Sequence, residues 1–117
     1  NFYKPVSNIT KFLSLTDILV LPSIKFESFG MVLIEAMRQK VPVICSDSGG
    51  MKEIVKNNIN GLTFKNNNIA DLKKKLSIFI FSNNKRKEFG KKGYLTFTKK
   101  FSKKIFIKEY QKLTHEK

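Results

Sequence analysis

Two strand-length apolar runs, Ile18-Leu19-Val20-Leu21 and Pro42-Val43-Ile44-Cys45, stand on either side of a helix-length segment. Apolar runs without polar alternation suit strands covered on both faces, which is the situation inside a parallel sheet. Parallel neighbours cannot be joined by a tight turn, so the chain between them must cross over, usually as a helix. The intervening residues Met31 to Met37 are apolar except for Glu35 and predict a helix from about Gly30 to Gln39, buried nearly all round. Pro22-Ser23 ends the first strand, and Pro42 is tolerated at the first position of the second. Gly61-Leu62-Thr63-Phe64 makes a third short strand. The fold class that follows is α/β: a short parallel sheet with flanking helices and a helical C-terminal segment.

The rest of the chain fits around this unit. Ser7 or Asn8 can cap a first helix with Ile9, Phe12 and Leu13 on one face, ended by Asp17. Met51–Val55 starts a short helix that Asn57-Asn58 stops. Asn68 is placed to cap a helix whose apolar positions are Ile69, Leu72, Leu76 and Phe79, with Asp71 in the first turn where negative charge suits the dipole. Ser82-Asn83-Asn84 breaks it. Residues 85–100 predict another helix, weakened by Gly90 and Gly93. Ser102 can cap a last one, with Phe106, Tyr110 and Leu113 as its stripe.

A chain of 117 residues with 41% apolar content has room for one modest core. No apolar run is long enough to span a bilayer. The opening NFYKPVSNITKF does not read as a signal peptide, and because it lacks an initial methionine the chain is expected to be a piece of something longer. The lone Cys45 precludes an internal disulfide and reads as a small buried thiol, which fits a cytoplasmic location. Neither Cys45 nor the single His115 suggests a zinc site or a Cys-His nucleophile.

The net charge of +14 is unevenly placed: residues 1–64 carry +2 and residues 65–117 carry +12. A basic C-terminal half of this kind can meet anionic lipid at the inner face of a membrane, or be a solvated surface. It shows no nucleic-acid motif and no aromatic-basic interleaving on a sheet face, so nucleic acid is not the expected partner.

Ligands of open parallel sheets bind beyond the carboxyl ends of the strands. Two loops fall there, Pro22–Phe29 and Ser46–Gly50. The first contains Glu27 and leads through Gly30 into the helix that carries Glu35. Free N–H groups at Phe29, Gly30, Met31 and Val32, with the positive end of the helix dipole, suit a phosphate. Glu35, about 7–8 Å further along the axis, could accept from the two hydroxyls of a ribose. Glu27 would lie beyond the phosphates, where a transferred group sits. The alternative is that Glu27 is plain loop and Glu35 a paired or snorkelling helix residue, since a buried carboxylate must find some partner.

The stretch LPSIKFESFGMVLIEAMRQKVPVICSDSGGMKEIV resembles the core of retaining glycosyltransferases of family four, which have the GT-B architecture. The resemblance rests on Pro22-Ser23, Glu27, Phe29-Gly30, Glu35-Ala36-Met37, Pro42-Val43-Ile44, and Gly49-Gly50 with Glu53. Gly61-Leu62 with Phe64, and Phe101-Ser102, extend it to roughly residues 9–114. It implies that residues 1–117 are the C-terminal part of a nucleotide-sugar-binding domain, a partial Rossmann-like domain, with the acceptor-binding domain absent from the chain. It further implies that Glu27 is catalytic, holding sugar hydroxyls and supporting charge near the anomeric carbon. By the same likeness the amides of Phe29, Gly30, Met31 and Val32 meet sugar and diphosphate, Glu35 binds the ribose, and Gly49 and Gly50 keep a loop near the nucleotide slim. No metal and no cofactor are implied, because the nucleotide-sugar is a substrate. The acceptor would be a glycan or lipid-linked.

The basic residues that clamp the diphosphate in this family have no counterpart here, and Lys25 lies outside the motif. The chain is therefore expected to hold half of an active site and to be inactive alone. Two other readings stay open: a basic module binding anionic membrane or nucleic acid without catalysis, and a non-catalytic nucleotide-binding remnant.

Overall fold

The computed structural model describes residues 13, 15–22, 28–47 and 51–101, for 28–30 and 51–52 the backbone alone. The expected first helix around Ile9 and Phe12, and the final helix after Ser102, lie outside the described residues. Three parallel strands form one sheet in the order β1 (Leu19–Leu21), β2 (Val43–Ser46), β3 (Leu62–Phe64). Leu19 lies opposite Val43, and Ile44 opposite Leu62. The helices are α1 (Ser28–Arg38), α2 (Met51–Ile54), α3 (Ile69–Ile80) and α4 (Asn83–Lys100). Each strand lies within a residue of its apolar run. Pro42 stays just outside β2, with no N–H to offer a ladder, while its carbonyl accepts from the Leu19 amide at 3.0 Å.

The pleat sends alternate residues to opposite faces. Leu19, Leu21, Val43 and Cys45 join Leu33, Ala36 and Met37 of α1 in one buried layer. Ile44, Leu62 and Phe64 join Phe79 of α3 and Phe89 of α4 in the other. The sheet is thus covered on both sides, which is why its strands read as unbroken apolar runs. The Phe79 and Phe89 rings meet edge to face at 5.5 Å.

α3 has the expected cap: the Asn68 side chain accepts from the Asp71 amide at 2.9 Å, and the Asp71 carboxylate accepts from the Lys65 amide at 2.8 Å. Its predicted stripe needs one correction. Leu72 and Leu76 pack on the second layer, but Ile69 is 70% exposed, because it starts the helix before the packed surface begins.

α4 also differs from expectation. It begins at Asn83 inside the predicted break, with Ser82 as its cap, and runs unbroken through both glycines. A Cβ at Gly90 would lie 2.4 Å from the Lys40 carbonyl oxygen, and one at Gly93 would lie 3.2 Å from Met37. The glycines are where α4 crosses close to the end of α1, so their low helix propensity is offset by tertiary contact. Past this crossing α4 places Phe97 in the first layer, having placed Phe89 in the second.

Candidate functional site

α1 leaves the carboxyl edge of the sheet after β1 and carries five of the expected site residues, Phe29, Gly30, Met31, Val32 and Glu35. It starts at Ser28, two residues before the position suggested by Gly30. Its open amides therefore centre on Ser28, Phe29 and Gly30, and Met31 and Val32 complete the first turn behind them. Val32 packs against the first layer. Glu27, Gly49 and Gly50 lie outside the described residues.

Glu35 follows in the second turn and is 3% exposed. Its carboxylate accepts from Arg38 Nε at 3.0 Å on one oxygen, and from Arg38 Nη2 and Gln39 Nε2 at 2.5 and 2.7 Å on the other. These hydrogen bonds hold the Arg38 guanidinium pKa above its ordinary value. The fork matches two donors to two oxygens, the geometry in which Arg is most selective. Glu35 is thus a paired helix residue, and a ligand is not required to account for its burial. The signal was present in sequence: Arg38 and Gln39 stand three and four residues on, within helical reach.

The end of β2 supplies the second part of the edge. Ser46 is fully buried and Asp47 half-buried. The Asp47 amide donates to the Phe64 carbonyl at 2.9 Å, and its carboxylate accepts from the Asn66 amide at 3.2 Å. Asp47 therefore ties the loop after β3 to the loop after β2, a role that its place in a turn-rich run did not reveal. Burial, and then the nearby charge of Asp47, push the Cys45 thiol up to about 12. That keeps it protonated and unreactive, as a small core residue. Among the described residues no three His, Cys, Asp or Glu side chains come together as a metal site would need, and no helix is long and apolar enough to cross a membrane.

Residues 1–96 match the model of the family described as glycosyl transferases group 1. An uncharacterized glycosyltransferase of Methanocaldococcus jannaschii is 40% identical over 85% of this chain and 28% of its own length. The N,N'-diacetylbacillosaminyl-diphospho-undecaprenol alpha-1,3-N-acetylgalactosaminyltransferase of Campylobacter jejuni is 36% identical over 63% of this chain and 19% of its own. Among solved structures, the C-terminal domain of a group 1 glycosyl transferase (LpcC) from Francisella tularensis superposes with a TM-score of 0.75 at 27% identity, covering 88% of this chain and 52% of that one. The chain spans under a third of the length of these curated relatives. A parallel sheet flanked by helices, with a buried acid in the helix that leaves its carboxyl edge, matched across most of its length in sequence and shape, places the chain in the group 1 glycosyl transferase family, as a C-terminal part of the GT-B architecture.

Proposed function

We propose that the protein transfers a sugar from a nucleotide-sugar donor, with retention, to a glycan or lipid-linked acceptor, and that this chain supplies the donor side. The observation that carries the reading is α1 itself: its amide-bearing end follows β1 at the carboxyl edge, within the stretch that matches the family model. In transfer, the acceptor oxygen bonds to the anomeric carbon as the bond from that carbon to the diphosphate breaks. The acceptor proton leaves with the diphosphate. Charge then grows on the departing oxygens, and the leading amides of α1, Phe29 and Gly30, oppose it together with the helix dipole, to which Met31 and Val32 contribute from behind. Glu27 would support the positive charge on the sugar, while Gly49 and Gly50 leave room beside the nucleotide. Glu35 would hold the ribose hydroxyls, and Arg38 fixes where its oxygens point. No metal or cofactor has a part in this reading. The Campylobacter relative's name refers to a diphospho-undecaprenol, which favours a lipid-linked acceptor and work at the inner, cytoplasmic face of a membrane, met through residues 65–117.

Titration with nucleotide-sugars tests this. Saturable binding is expected, lost on Glu35→Ala and kept when surface lysines are neutralised. Retained affinity in Glu35→Ala would remove the proposed ribose contact. Salt-sensitive binding to vesicles or DNA with no nucleotide-sugar binding would instead favour the non-catalytic basic module.

A further inference from the structure

The edge of the sheet opposite the candidate site has its own surface. Asn58, Ile59 and Asn60 precede β3, and Lys40 precedes β2, so all four mark the amino-terminal edge. α4 passes along it, with Gly90 against Lys40 and Thr96 donated to by the Asn60 side chain at 3.1 Å. The helix carries seven Lys or Arg and a single acid, Glu88. That acid is held between Lys85 and Lys92, at 3.4 and 2.9 Å.

Between the α2–β3 turn and the far half of α4 lies an open groove of about 380 Å³, lined chiefly by Ile59, Leu95, Lys92, Lys99 and Lys100. Ile59 is 64% exposed and Leu95 54%. Among the described residues no carboxylate and no aromatic side chain lines it. A neighbouring groove shares Lys92 and continues the basic face through Lys87, Lys91 and Lys40, its one acid being the lysine-paired Glu88.

We propose that this groove docks the protein on an anionic phospholipid leaflet, with Ile59 and Leu95 entering the acyl boundary while Lys92, Lys99 and Lys100 meet headgroup phosphates. Exposed aliphatic side chains ringed by long cations suit an interface whose outer part is anionic and whose inner part is hydrocarbon, since lysine stems can lie along apolar surface with their heads outside. A nucleic acid would use the same cations but prefers aromatic platforms for its bases, and has no use for two aliphatic side chains. The donor edge then faces away from the leaflet, toward the water from which a nucleotide-sugar arrives. This inference deepens the membrane-side part of the proposed function and does not rest on the donor chemistry, so vesicle binding and nucleotide-sugar titration fail independently.

Flotation with vesicles of phosphatidylcholine and phosphatidylglycerol, against phosphatidylcholine alone and single-stranded DNA, tests it. The protein is expected to float with the mixed vesicles only. Lys99→Gln and Lys100→Gln should each weaken this roughly fivefold. Ile59→Ser with Leu95→Ser should weaken it on the order of tenfold, with thermal melting and nucleotide-sugar affinity unchanged. The proposal is overturned by absent binding to the mixed vesicles. It is equally overturned if the lysine variants lose binding while the aliphatic pair is indifferent, or if DNA competes as well as lipid.

Discussion

The two edges of this small sheet are built by different means. At the amino-terminal edge, α4 lies so close to α1 that backbone meets backbone at Gly90 and Lys40, and the buried Asn60 side chain bonds Lys56, Ile54 and Thr96. Toward the carboxyl edge the ties centre on acids: Glu35, in the body of α1, reaches to Arg38 and Gln39 at the far end of that helix, and Asp47, just past β2, holds the Asn66 amide of the loop after β3. One edge is specified by shape and hydrogen-bond saturation, the other by acids that carry capacity for chemistry. Stability and ligand recognition should therefore separate along this line.

Gly90→Ala should have the largest effect on stability. Although alanine favours helix by up to about 1 kcal/mol, the new methyl meets a backbone oxygen that cannot step aside, and a net loss of about 2–3 kcal/mol is expected in denaturant unfolding. Asn60→Ala comes next, at about 1–2 kcal/mol, because it strands the part-buried Lys56 N–H and Ile54 carbonyl. Neither should change nucleotide affinity of the folded protein, and a change there larger than the stability loss would break the separation. Among the ties that centre on acids, Arg38→Ala leaves a buried carboxylate short of its cation. With Arg38 itself 39% exposed, solvent replaces part of the interaction and about 1 kcal/mol is expected, with Arg38→Lys recovering only part, since it lacks the fork. Its loss of nucleotide-sugar affinity should exceed its loss of stability.

The smallest effect at neutral pH belongs to Cys45. Its folded pKa of about 12 lies above the ordinary thiol value, so the neutral form is the one the fold stabilises. That contribution is complete below about pH 8.5–9 and is lost as pH rises toward 12. Iodoacetamide should fail to label the folded protein at pH 8 and label it on unfolding. Cys45→Ala should flatten this part of the alkaline stability loss.

Much of the architecture was legible because each strand is covered on both faces and so appears as an unbroken apolar run, as Val43, Ile44 and Cys45 do. The α3 cap was legible because Asn68 and Asp71 act within one turn. Gly90 and Gly93 were misleading: local propensity records what a glycine costs a helix and holds no trace of the Lys40 carbonyl far off in sequence. Asn60 was silent for the same reason, its Thr96 partner being 36 residues away. Ile69 satisfied the periodicity yet fell outside the packed area, since a pattern marks a face and not how far its cover extends. Glu35 was singled out by its apolar neighbours, and its alternative as a paired helix residue was legible too, although Arg38 and Gln39 were not named as the partners. Of the other acids, Glu27 lies outside the described residues, and Asp47 could not be distinguished from its turn-forming neighbours.

The passage of α4 from one layer to the other has a kinetic consequence. A helix that anchors Phe89 above the sheet and Phe97 below it acts as a rivet, so neither half can open while the other stays shut. Slowly exchanging amides in β2 and α1 should gain deuterium at a common rate, set by release of that rivet.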